Sequence, residues 1–293
     1  MEIVKEKKTT VIVLCRCPLQ QRIASSITDF IYSHGGTIID FEQYVDVEMD
    51  PASYYARLEW DLGTGGLDVD QVRSQFDVEV AKPFFMEWEV FDSSKPCRLA
   101  ILGTTEIGGL YKILMSCLSG AWNAEVPLIV SNRTNLEQEA KRFGIAFHHF
   151  PITKENKKSQ ELEMRRLFAE HQIDLVVLAR YMQIVSSILI DPYRNRMINI
   201  HHSMLPAFVG AKPYHQARRR GVKFIGATGH YVTEELDAGP IIEQGTIRIT
   251  HRQTVKELMA EGRDLESTVL SKAVELHINR RVIVDGGRTI VFN

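Results

Sequence analysis

The chain has 293 residues, 44% of them hydrophobic and 25% charged, the balance of an ordinary folded protein, which excludes a disordered or fibrous chain. Lys and Arg total 35 against 37 Asp and Glu, a net charge of -2, so no global field recruits nucleic acid. The length sets a prior of roughly two domains, because single cores stop growing near 250 to 300 residues.

The N-terminus, Met1-Glu2-Ile3-Val4-Lys5-Glu6-Lys7-Lys8, mixes charges and lacks the apolar region of a secretory signal. No run reaches the roughly 18 apolar residues of a membrane span, so a cytoplasmic protein with no membrane partner is expected. Cys15, Cys17, Cys97 and Cys117 fit reduced thiols, and Cys15-Arg16-Cys17 lacks the partner spacing for zinc.

Residues 9–15 form a β-branched apolar run, and Ile23, Ile27, Phe30 and Ile31 then recur at helical spacing up to Gly35-Gly36. Strands are predicted over 37–47 and 54–62, parted by the turn Met49-Asp50-Pro51-Ala52. Val69, Val72, Phe76 and Val80 trace a second amphipathic helix, and a strand follows near 86–91. The order βαββαβ is the ferredoxin-like unit, expected over residues 8–91. Asp92-Ser93-Ser94-Lys95-Pro96 reads as a linker, taken as 92–97.

From residue 98 to 293 the pattern becomes apolar strands alternating with helices, with strands near 98–102, 126–131, 146–150 and 173–179. Apolar runs without a period of two suit strands covered on both faces, so a doubly wound, mostly parallel α/β sheet is expected. Ligands of such sheets bind outside the carboxyl ends of the strands. The Gly103–Gly109 loop lacks the Lys and Ser/Thr of a P-loop, and neither GxGxxG nor GxSxG occurs. Arg218-Arg219-Arg220 reads as a solvated helix face.

Met197-Ile198-Asn199-Ile200-His201 is a strand in which Asn199 and His201, two apart, point to one face. Leu205-Pro206 is expected to end it, and Gly210 permits a loop over a ligand. A second strand, 226–232, leads into Thr233-Glu234-Glu235-Leu236-Asp237-Ala238-Gly239-Pro240, which presents Asp237. An amide and an imidazole can stabilise an oxyanion while a carboxylate positions or deprotonates the nucleophile. Each of these residues alone is also an ordinary structural residue. His148, His149, His202 and His230 lack HxxxH or HExxH spacing, so no metal is expected and they read as core or surface histidines.

The segments Asn199 to Ala217, Gly226 to Val232 and Leu236-Asp-Ala-Gly-Pro-Ile-Ile242, with Ala179-Arg-Tyr-Met-Gln-Ile-Val185, resemble the formyltetrahydrofolate deformylases. The resemblance covers nearly the whole chain and implies an N-terminal ACT domain, of βαββαβ fold, before a formyltransferase-like catalytic domain. It implies hydrolysis of 10-formyltetrahydrofolate to formate and tetrahydrofolate, serving one-carbon balance and formate supply for purine synthesis. The folate is a substrate, and no prosthetic group is implied. The family's catalytic residues fall on Asn199, His201 and Asp237. Its folate pocket falls on Arg180, Tyr181, Met182, Ile184 and Val185, with Gly210 and Tyr231. Met182, Ile184 and Val185 are placed to flank a flat pterin, and core packing would use the same residue types. A homo-oligomer is implied, since ACT sheets often pair at their edges. Two segments depart from the family. The ACT turn reads Cys17-Pro18-Leu19-Gln20-Gln21-Arg22 without Gly, which argues against an effector there, and the Gly103–Gly109 loop lacks the usual Ser and His. The alternatives are formyl transfer to an amine such as glycinamide ribonucleotide, or a folate-sensing regulator without catalysis.

Overall fold

The computed structural model describes residues 10–63, 66–206 and 213–293. The chain divides into two units: residues up to Pro96 together with Arg280–Ile283 and Ile290–Asn293, and Cys97–Asn279 with Val284–Thr289.

In the first unit the elements run β1 (Thr10–Pro18), α1 (Ile23–Ser33), β2 (Thr37–Asp46), β3 (Ser53–Asp61), α2 (Val69–Phe76) and β4 (Glu87–Asp92). The strands form one antiparallel sheet in the order β2-β3-β1-β4. Val11, Val13 and Cys15 alternate to one face of β1, where Ile23, Ile27, Phe30 and Ile31 of α1 meet Val72 and Phe76 of α2. Asp68 and Gln71 close a capping box at the start of α2. The second helix is shorter than its periodicity predicts. After Phe76 the chain widens into a π turn over Asp77–Ala81 and a 3-10 turn over Lys82–Phe84, since Pro83 has no N–H to continue an α-helix. Val80 is still buried.

The C-terminal residues depart from the expected boundary. Strands β12 (Val282–Asp285) and β13 (Arg288–Val291) form a two-stranded hairpin, and residues 280–283 and 290–293 belong to the first unit rather than to the domain expected over 98–293. The reason is burial: Leu14 and Tyr55 lie on the sheet face away from the helices and are covered by Ile283 and Phe292.

The second unit contains β5 (Cys97–Gly103), α3 (Gly108–Leu118), β6 (Ala124–Ser131), α4 (Glu137–Arg142), β7 (Ala146–His149), α5 (Lys157–Glu170) and β8 (Leu175–Ala179). It continues with α6 (Ser187–Ile190), β9 (Met197–His201), α7 (Pro213–Arg220), β10 (Phe224–Tyr231), β11 (Ile241–Arg248) and α8 (Val255–Ile278), which the β12–β13 hairpin follows. Its sheet has seven strands in the order β11-β10-β9-β8-β5-β6-β7. The five from β9 to β7 are parallel, and β10 pairs antiparallel with both β9 and β11. Every residue of β8 is buried, as a strand covered on both faces requires. The chain winds outward from β5 to β7, then returns to β8 on the other side of β5, which puts a topological switch point at the carboxyl ends of β5 and β8. No helix among the described residues is long and apolar enough to cross a membrane.

Candidate active site

Strand β9 ends at His201, four residues before the expected stop at Leu205-Pro206. Its neighbour β10 runs antiparallel with Thr228 opposite His201 and His230 opposite Asn199. Residues directly opposite on paired strands share a face, so Asn199, His201 and His230 project to one side. On the other face, a Cβ at Gly229 would lie 2.8 Å from the Ala273 Cβ of α8, so α8 packs closely there and leaves the first face for chemistry.

The loop after β10 delivers the carboxylate. Tyr231 N–H donates to the Pro240 carbonyl at 2.9 Å, and a Cβ at Gly239 would overlap the Tyr231 carbonyl oxygen, so glycine is required for that approach. Asp237 turns through φ +56°, a left-handed conformation that Asp tolerates better than most residues. His201 Nδ1 then lies 3.1 Å from Asp237 Oδ2, and His230 Nε2 lies 3.7 Å from Oδ1. Asn199 Nδ2 is 3.2 Å from His230 Nε2, and His230 Nδ1 is 2.9 Å from the Tyr231 carbonyl oxygen. His201 is buried, and its Nε2 has no hydrogen-bond partner, although buried polar atoms are paired in most native sites.

These groups border a cavity of about 410 Å³ that is also lined by Leu178, residues 180–185, His202, residues 232–236 and Glu266. Arg180, Tyr181, Met182, Ile184 and Val185 all reach it. Met182 is 67% exposed, Ile184 64% and Leu236 65%, so these apolar side chains are not core residues; they face the opening, as a flat apolar ligand would require. Val185 and Tyr181 are buried at its base.

Three polar side chains, Thr104, Glu161 and Glu266, hold the 180–186 segment. Thr104 Oγ1 accepts from Met182 N–H at 3.1 Å while donating to Asn132 Oδ1 at 2.9 Å, which gives the Gly103–Gly109 loop a supporting role. Buried Glu161 of α5 accepts from Ser186 N–H at 3.1 Å and from the Ser186 hydroxyl. Buried Glu266 of α8 lies 3.2 Å from Arg180 Nη1 and accepts from the Tyr214 hydroxyl at 2.7 Å.

Burial dominates the electrostatics. It depresses the pKa of His202 to about 4, with His201 and Arg180 adding repulsion and Asp237 opposing. It also lowers that of His230, against the Tyr231 carbonyl and Asp237, which favour the cation. Both rings are therefore neutral near pH 7. Glu266 is raised by burial and held back by Arg180 and Tyr214.

Tyr231, expected in the folate pocket, is buried and does not line this cavity; its hydroxyl lies 2.7 Å from His277 Nδ1. Gly210 lies outside the described residues. Sequence reasoning named neither Thr104 nor Glu266 as a site residue, and it read both His202 and His230 as plain core or surface histidines. His230 is in the core, yet it also touches Asn199. Only the β9–β10 register could have signalled that. Among the described residues no group of three or more His, Cys, Asp or Glu is placed to hold a metal ion.

The formyl transferase family profile matches residues 97–274. A formyltetrahydrofolate deformylase of Synechocystis sp. is 44% identical over 97% of this chain and 98% of its own length. The crystal structure of a formyltetrahydrofolate deformylase from Pseudomonas syringae superposes with a TM-score of 0.94 at 38% identity, covering 99% of this chain and 96% of that one. A glycinamide ribonucleotide transformylase from Symbiobacterium toebii superposes at 0.64 and 28% identity, over 69% of this chain and 97% of its own.

Proposed function

The chain belongs to the formyltetrahydrofolate deformylase family, and from that membership we propose that it hydrolyses 10-formyltetrahydrofolate, with Asn199, His201 and Asp237 acting on the formyl carbon. The observation that carries the assignment is the His201–Asp237 contact at 3.1 Å beside an unpartnered, buried Nε2. Nδ1–H donates to the carboxylate, so protonation of the ring at Nε2 creates a donor aimed at an incoming oxygen while the neighbouring carboxylate balances the charge.

The pterin lies against residues 180–185, with Met182, Ile184 and Leu236 at the opening and Val185 beneath. Water attacks the formyl carbon, and the proton it loses passes to Asp237. The developing oxyanion takes hydrogen bonds from Asn199 Nδ2 and His201 Nε2. N10 takes up the proton as its bond to carbon breaks, leaving formate and tetrahydrofolate. No redox cofactor enters this scheme, and turnover is expected to survive EDTA. The first unit is assigned an ACT-like regulatory or oligomerisation role, in a cytoplasmic homo-oligomer.

The test is purified protein with 10-formyltetrahydrofolate and no acceptor, following formate and tetrahydrofolate together. Equal amounts of both are expected. Turnover only when glycinamide ribonucleotide is supplied would replace hydrolysis by transfer, and tight binding without formate would favour a sensor. Asp237→Asn and His201→Ala should each lower turnover on the order of 100-fold; wild-type rates in both would remove the assignment of these residues.

A further inference from the structure

The face that carries Asn199 and His201 holds a third polar side chain that the hydrolytic scheme does not use. His230 sits opposite Asn199 in the β9–β10 pair and is 2% exposed. Its two ring nitrogens have different partners, and those partners fix its hydrogen. The Tyr231 carbonyl oxygen, 2.9 Å from Nδ1, can only accept, so Nδ1 carries the N–H. In the neutral ring Nε2 is then a lone pair, and the group it meets at 3.2 Å is Asn199 Nδ2, which can only donate.

We infer that His230 is a positioning residue for hydrolysis: its Nε2 lone pair holds the Asn199 amide with nitrogen rather than oxygen at the reacting face, so that the second N–H of Nδ2 is left to meet the oxyanion. An asparagine amide is nearly symmetric in shape and can rotate by half a turn. Rotated, Asn199 would set Oδ1 against the Nε2 lone pair, two acceptors in contact. Charge on His230 would abolish the discrimination, because an imidazolium offers N–H at Nε2 and would welcome Oδ1. Burial keeps the ring neutral against the pull of Asp237, whose Oδ1 is 3.7 Å from Nε2, and with the further repulsion of His201. At that distance the carboxylate makes no hydrogen bond to Nε2, consistent with a bare lone pair there.

The inference rests on the assignment of Asn199 as an oxyanion donor, and the experiment separates the two. His230→Asn keeps an amide N–H at the position of Nδ1 for the Tyr231 carbonyl but is too short to reach Asn199. His230→Gln instead extends an acceptor toward Asn199. Single-turnover and steady-state rates of formate release are measured for Asn199→Ala, His230→Asn, His230→Gln and the Asn199→Ala/His230→Asn double variant, with melting temperatures as the check on folding. Asn199→Ala and His230→Asn should each lower kcat on the order of 100-fold with KM within about twofold. The double variant should be no slower than Asn199→Ala alone, because one contact is being removed twice, and His230→Gln should recover at least about tenfold over His230→Asn.

If Asn199→Ala retains the wild-type rate, the oxyanion assignment itself falls. If Asn199→Ala is slow but His230→Asn keeps kcat, or if the two losses multiply, His230 does not act through Asn199 and the inference is overturned. Should His230→Asn fail to fold, His230→Phe, which keeps the ring volume without the nitrogens, carries the same cycle and the same criteria.

Discussion

At the scale of single residues, the neutral histidines give the molecule a pH signature. An unfolded chain protonates histidine near 6.5, whereas the fold holds His202 to about 4 and lowers His230 as well, in both cases chiefly through burial. Below pH 6.5 the unfolded chain therefore binds protons that the fold refuses. The stability these two rings contribute is complete above that pH and is lost as pH falls toward 4. The melting temperature should drop over this interval, and His202→Gln should drop less steeply than the parent between pH 6.5 and 4.5. Parallel curves would show that His202 is not held neutral. His148, also lowered by burial, is common to both proteins and cancels in the comparison. His201 differs from these two in its partner, the Asp237 carboxylate at 3.1 Å.

At the scale of elements, two loops decide whether the strand residues become a site. The 180–185 segment follows β8 and is tied to the Gly103–Gly109 loop by the hydrogen bond from Met182 N–H to Thr104. Thr104→Val removes that acceptor at little cost in volume, and one lost hydrogen bond is worth about 1 kcal/mol. KM for 10-formyltetrahydrofolate should rise about fivefold, the same energy expressed as binding, with kcat little changed; an unchanged KM would mean that the loop needs no such anchor. The second loop carries Asp237 through its left-handed turn, and Gly239 allows it to pass the Tyr231 carbonyl. Gly239→Ala should displace Asp237 by a fraction of its contact distance to His201. A misplacement of that kind costs on the order of 100-fold in kcat. Circular dichroism should match the parent, since the clash falls only at the last residue of β10, and full activity in this variant would show that the close approach is dispensable.

At the scale of the whole molecule, the sheet of the first unit ends in two edge strands, β2 and β4. Edges of this sort need pairing or cover, and β2 exposes Ile39 and Tyr44. Sedimentation at working concentration should give a dimer or larger species, and Ile39→Lys should shift it toward monomer; a monomeric parent would remove oligomerisation from the role of this unit. What the sequence determined by itself was everything written in local periodicity and residue chemistry. The βαββαβ order came from alternation and helical spacing. The pairing of Asn199 with His201 on one face came from their spacing of two. The resemblance to deformylases, carried by contiguous motifs, supplied folate and water. Tertiary structure alone decided the rest, because the deciding contacts join residues far apart in the chain. His230 meets Asn199 only through the β9–β10 register, and Glu266 reaches Arg180 only because α8 lies against the sheet. Tyr231 turns to His277 and away from the cavity, which its neighbours' motif could not reveal. The C-terminal strands join the first unit because Leu14 and Tyr55 leave an apolar face there to be covered. Periodicity says which face of an element is apolar, and only packing says which distant element covers it.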